Sequence, residues 1–190
     1  MRSFLAALPI LFVLTGCGVQ SIPKANNEVE AAWGEVQNQY KRRADLIPNL
    51  VEVVKGYAKH ESETLEGVIS ARAKATQITV NANDLSPEKL REYQNAQQGL
   101  SQALGKLMMV SERYPDLKAN TNFQGLQSQL EGTENRITIA RRRYVDTIKD
   151  FNNLVTVFPT SLTNSMMFKY EKKPQFEAAA TEQAAPAVKF

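Results

Sequence analysis

The sequence predicts an all-α fold: an elongated antiparallel helical bundle with a long, proline-kinked first helix. Three observations carry this. Apolar residues recur every three or four positions through three long stretches, breaker residues cluster at a few points between them, and no segment shows the strict alternation of a half-buried strand.

The chain opens with Arg2, an apolar run of eleven residues from Phe4 to Leu14, and small residues before Cys17, the single cysteine. This is the pattern of a signal peptide over residues 1–16. Eleven apolar residues are too few to span a bilayer, which takes about 20, and no later window stays free of charge for that length. The tetrapeptide Leu14-Thr15-Gly16-Cys17 resembles the bacterial lipobox, in which the cysteine sulfur receives a diacylglycerol before cleavage. Cys17 is therefore the expected lipidation site, with palmitate-like acyl chains as the anchor. One chain holds a protein marginally and two or three hold it durably. The localisation expected is the bacterial cell envelope, on the extracytoplasmic side of the membrane. Gly18 in place of aspartate after the cysteine points to the outer membrane if the host has two.

Removing residues 1–16 from the 190 leaves 174, enough for one domain with a sizeable core. With one cysteine no intramolecular disulfide can form, so stability rests on packing. The formal charge of +3 falls to about +2 without Arg2, too little to argue for nucleic acid as a partner.

Residues 17–25 carry turn formers without an apolar period and read as a short lipidated tether. The folded domain is expected over 26–176. Its first helix shows an apolar face at Val29, Trp33, Val36, Tyr40, Ala44, Ile47, Val51, Val54, Ala58, Glu61, Leu65 and Val68. The steps alternate four and three except at Tyr40, Ala44 and Ile47, where two fours run together. Pro48 lies beside that irregularity, and its ring crowds the carbonyl of Ala44. No glycine or cap surrounds Pro48 and the face continues in phase, which favours one kinked helix from about Asn26 to Ile78 over a break. That helix would be about 80 Å long.

Ser86-Pro87-Glu88 opens a second helix with a cap residue, proline at the first helical position and an early negative charge. Its face runs Leu90, Tyr93, Gln97, Leu100, Leu104, Leu107 and Ser111, and Pro115 stops it. A third helix follows the turn at 116–122, with Phe123, Leu126, Leu130, Ile137, Ala140, Tyr144, Ile148, Phe151, Val155 and Phe158 on one face, ended by Pro159. Residues 161–167 suggest one more short helix and 168–176 an extended, adherent segment. The alanine-rich stretch 177–190 reads as a disordered tail.

Folding the second helix back along a first one of about 80 Å leaves roughly half of the first without that neighbour. If the third helix does not cover the gap, Val29, Trp33, Val36 and Tyr40 form an exposed stripe at the membrane-proximal end, a candidate partner-binding surface for another envelope protein or a second copy. If the third helix or residues 168–176 lie over it, the stripe is core.

Chemistry is sparse. His60 is the single histidine, so no His/Cys zinc set exists and a serine nucleophile has no recognisable base. The glycines are scattered through helical periods and build no phosphate loop. The carboxylate pairs Glu61 with Glu63 and Glu131 with Glu134 suit solvent faces and ion pairs. The basic runs Lys41-Arg42-Arg43 and Arg141-Arg142-Arg143 have Asp45, Glu134, Asp146 and Asp150 near enough to neutralise them, so internal ion pairs are favoured over headgroup binding. No enzyme, no cofactor and no metal site are expected.

Residues 41–51, Val54 to Glu61, Tyr114 to Asn120, Glu131 to Arg136 and Ala140 to Tyr144 together resemble the LemA family, over about Val29 to Phe176. The resemblance implies a helical bundle with a long first helix, tethered by an amino-terminal transmembrane segment in a bacterial envelope. This chain departs from that layout in showing a lipobox. The family has no accepted reaction, and some members look like membrane-organising components, so no catalytic residue carries over. The function expected is that of a membrane-anchored, non-catalytic helical scaffold, with an amphiphile or lipid carrier as the alternative.

Overall fold

In the computed structural model the described residues are 19–176; the predicted signal peptide at 1–16, Cys17 and the predicted tail at 177–190 lie outside them. Helix α1 runs Ser21–Tyr57, α2 Ser62–Gln77, α3 Pro87–Ser111, α4 Pro115–Ala119, α5 Thr121–Thr156 and α6 Thr160–Thr163, with a 3-10 turn at Ala82–Asp84 and a π turn at Asn164–Phe168. No strand occurs among the described residues, and the fold is an all-α bundle.

Helices α1 and α5 form an antiparallel pair in even register. Asn120 donates to the Tyr57 hydroxyl at 2.8 Å, Arg43 meets Glu134 at 2.6 Å, and the Trp33 and Tyr144 rings lie 5.2 Å apart. Continuing that register sets Ile22 beside Val155, and both are buried in one apolar cluster.

The first helix ends at Tyr57, twenty-one residues before the expected Ile78. Ala58 leaves helical geometry while its N–H still reaches the Val54 carbonyl, and the chain reverses through residues 58–61. Helix α2 then returns along α1, so that Arg72 Nε donates to the Ala44 carbonyl at 2.8 Å and the Val80 carbonyl accepts from both Trp33 and Gln37 at 2.9 Å. This extra reversal changes the direction of everything after it. Helix α3 runs parallel to α1, with Tyr93 near Trp33, Gln97 near Arg43 and Arg113 near Glu61, and α5 runs antiparallel. The up-down-up-down bundle thus comes from four long helices where the periodicity suggested three.

The helix runs through Pro48 as expected. Proline has no N–H to give the carbonyl four residues earlier, which is that of Ala44. Arg72 donates to that same oxygen, so α2 repairs the bond that α1 lacks.

The start also differs from expectation. Helix α1 begins at Ser21, with Ile22 and Ala25 already buried, so the folded unit reaches into the stretch read as tether. Ser86 and Asn120 cap α3 and α5, accepting from the N–H groups of Lys89 and Phe123. The core forms two clusters stacked along the bundle, one around Trp33 and Tyr144 and one around Leu50, Leu107 and Phe123. All their fully buried members fall between Ile22 and Val155.

Candidate functional site

Val29, Trp33, Val36 and Tyr40 are buried, and this corrects the reading of them as a partner-binding stripe. Helix α5 lies along the whole of this half of α1, and the chain beyond it closes the remaining side. Trp33 packs against Tyr93, Tyr144 and Phe176 with ring centroids 5.3, 5.2 and 6.1 Å away, and Tyr40 meets Tyr93 edge-on. Phe176 also carries the Arg141 guanidinium over its face at 4.7 Å. Residues 169–176 are held in place by a reciprocal pair of bonds between the Asn152 side chain and the Lys173 backbone.

The same packing fixes the ionisation of its phenols. Burial pushes Tyr40, Tyr93 and Tyr144 above the ordinary phenol value, opposed at Tyr40 by Arg141 and Arg43. Desolvation holds Lys173 below its usual range, against the pull of Glu30.

The most concentrated polar chemistry inside the bundle centres on Arg43, 1% exposed. Its guanidinium donates to Glu134 at 2.6 Å, Ser101 Oγ at 2.7 Å, Gln97 Oε1 at 2.8 Å and the Gln97 carbonyl at 3.1 Å, and lies over the Tyr40 ring at 5.1 Å. Gln97 in turn donates to the Ala75 carbonyl on α2. One side chain therefore ties α1 to α3 and α5, and through Gln97 to α2. Lys41 and Arg43 of the first basic run meet the expected acids, Asp45 at 3.7 Å and Glu134, whereas Arg141 of the second run lies over the Phe176 ring. Both terminal nitrogens of the guanidinium are bonded within the protein, while Arg43 Nε is buried without a partner.

A second polar knot closes the far end. Glu61 accepts from Arg113 at 3.0 Å and from the Tyr114 hydroxyl at 3.1 Å, where the chain reverses between α1 and α2. His60 beside it is exposed, and among the described residues no three His, Cys, Asp or Glu side chains gather as a metal site. A groove of about 970 Å³ lies between α2 and α3 and mixes Lys74, Lys89, Glu92 and Asn95 with small residues such as Gly67 and Gly99. It is a surface groove, not the enclosed apolar chamber that a carrier would use.

Comparison with known proteins decides the family. The model of the LemA family matches residues 32–190, most of the chain. The chain belongs to the LemA family. Among curated relatives, Protein LemA of Metamycoplasma hominis is 25% identical over 158 residues, covering 83% of this chain and 68% of that protein. The blocks that carry the LemA resemblance hold the knots just described: Arg43, Glu61, Tyr114, Asn120, Glu134 and Tyr144 all lie within them.

No described helix is long and apolar enough to cross a membrane. A surface feature that the periodicity did not single out lies at the end of the bundle near Ser21, where Phe158, Leu162, Met166 and Met167 are exposed. Phe158, counted with the apolar face of the third helix, lies beyond the end of that helix at Thr156 and is exposed, and Leu162, Met166 and Met167 after Pro159 keep no helical phase with it.

Proposed function

We propose that this LemA-family protein is a bacterial envelope lipoprotein, held by acyl groups on Cys17, whose helical bundle serves as a non-catalytic scaffold for another envelope protein or a second copy. The observation that carries the reading is the Leu14-Thr15-Gly16-Cys17 sequence behind an apolar run too short to span a bilayer. The start of α1 at Ser21 supports it, since the bundle begins four residues from the acylated position. Two features support the non-catalytic part: Arg43 and Glu61 are engaged by side chains of neighbouring segments, and His60 is exposed.

With the Trp33 stripe internal, scaffolding falls to outer faces. The full-length protein carrying a photoreactive residue at exposed Met109 or Ile139, irradiated in intact cells, should give a discrete crosslinked species in the membrane fraction. Replacing Cys17 with alanine should move the protein out of that fraction and abolish the crosslink. Unchanged membrane retention would reject the anchor, and monomer alone at every position tested around the bundle would reject the scaffold.

A further inference from the structure

We propose that the amino-terminal end of the bundle is a lipid-docking face, on which Val19, Phe158, Leu162, Met166 and Met167 enter the headgroup boundary of the membrane that holds the chain. Its geometry rests on the Cys17 anchor proposed above. Of the large hydrophobics exposed among the described residues, Val19, Val157, Phe158, Leu162, Met166, Met167 and Tyr170 all belong to this end, while Tyr57, Ile69, Met109 and Ile139 stand singly on α1, α2, α3 and α5. Phe158 and Met166 are 72% and 73% exposed. Clustering of this kind marks an interaction surface, whereas single exposed side chains need no explanation.

The register of α1 on α5 places this cluster. Trp33 against Tyr144 and Ile22 against Val155 continue to Val19 against Phe158, so the segment after α5 sits where α1 begins. Only Gly18 separates Val19 from Cys17, a reach of at most about 7 Å. A chain acylated at Cys17 therefore presents this end, and no other, to the bilayer. The display is built. Asn164 accepts from the Tyr170 N–H at 3.0 Å and donates to the Tyr170 carbonyl at 2.9 Å, closing a loop with Met166 and Met167 at its outer side. Lys169 takes a left-handed conformation to complete the turn, its N–H reaching the Asn164 carbonyl at 2.7 Å. Exposed Lys24, Lys169 and Lys172 lie on the segments that meet at this end, together with exposed Glu28, Asp150 and Glu171, and Asp150 lines a shallow groove with Val157 and Phe158. Apolar side chains bordered by charges of both signs match an interfacial position at the headgroup boundary, with the lysines available to lipid phosphates.

The test uses the lipidated full-length protein in vesicles containing anionic lipid. Acylation of Cys17 leaves an introduced cysteine as the single free thiol, so an environment-sensitive fluorophore can be placed at Met167→Cys or, at the opposite end, at Asp116→Cys. The position-167 probe should shift to the blue and be quenched by acyl chains brominated near the headgroup, and the position-116 probe should do neither. In parallel, residues 18–190, which contain the entire core, should bind the same vesicles weakly, and Phe158→Ser with Met166→Ser should weaken that partition about tenfold or more at unchanged helicity. A position-167 probe indifferent to lipid overturns the proposal. So does a probe already shielded without vesicles, whether uncovered by deleting residues 177–190 or by dilution, since the tail or a second copy then occupies the face. An unacylated Cys17 would fail the anchor alone, and vesicle binding by residues 18–190 would still decide the docking face.

Discussion

If Arg72 takes the place of the N–H that Pro48 lacks, its energetic value depends on that proline. Proline in a helix interior costs about 3 kcal/mol relative to alanine, much of it from the lost bond and the clash at the carbonyl four residues back. Here that carbonyl, of Ala44, accepts from Arg72 Nε at 2.8 Å in a partly buried setting. A hydrogen bond from a charged donor contributes about 1.5–3 kcal/mol, so Arg72→Ala should lower stability by about 2 kcal/mol. Pro48→Ala restores the backbone donor, and with part of the penalty already recovered by Arg72 it should raise stability by about 1–2 kcal/mol. Once Ala44 has its own helical partner, Arg72→Ala should cost about 0.5 kcal/mol or less, a coupling of at least about 1 kcal/mol between the two sites. Urea denaturation of the four proteins of this cycle measures it. Equal costs for Arg72→Ala in both backgrounds would refute the repair and leave the contact incidental.

Three further outcomes follow from the same structure. Glu134→Gln strips the countercharge from a guanidinium that is 1% exposed; because the Glu134 side chain is itself 46% exposed and screened, the loss expected is about 1–2 kcal/mol, read from urea midpoints, and Arg43→Met should erase most of it. Tyr40, Tyr93 and Tyr144 keep their protons in the folded state above the pH at which an unfolded chain releases them, so the native state binds more protons in that range. Stability should hold level from pH 7 to 9 and fall above about pH 10, by up to about 1.4 kcal/mol per pH unit for each phenol, as followed by denaturant midpoints and tyrosinate absorbance. Trp33→Ala should cost about 3–5 kcal/mol in thermal or urea unfolding, since it removes the centre of an aromatic cluster together with the bond to the Val80 carbonyl.

The long helices were legible because their apolar faces keep a strict period, and Ser86 marks the start of one; Asn120, read as part of a turn, caps another. The reversal at 58–61 was not. Ala58, Leu65 and Val68 continue the phase of α1, since both arms of a helical hairpin turn their apolar sides to one core and a turn of about four residues preserves the count. Glu61 was the local clue: a carboxylate standing in an apolar series, which the structure spends on Arg113 and Tyr114. The irregular step at Tyr40, Ala44 and Ile47 has a similar origin. Counting Arg43 as a core position restores the alternation from Val29 through Trp33, Val36, Tyr40, Arg43, Ile47 and Leu50 to Val54, and all of these are buried. A charged side chain hid the seam because periodicity is read from apolar residues, whereas Arg43 is paid for by four hydrogen bonds. Burial of the Val29 to Tyr40 stripe turned on the path of α5 and on Phe176 folding back, both contacts between residues far apart in sequence.

The proposed fastening of the bundle to a membrane runs through one modified residue. Mass spectrometry of the mature protein recovered from cells, read at its amino-terminal peptide, tests this most directly. The account predicts a chain beginning at Cys17 and carrying a diacylglyceryl group on sulfur; a mature protein whose Cys17 is a free thiol, or is missing, would contradict it.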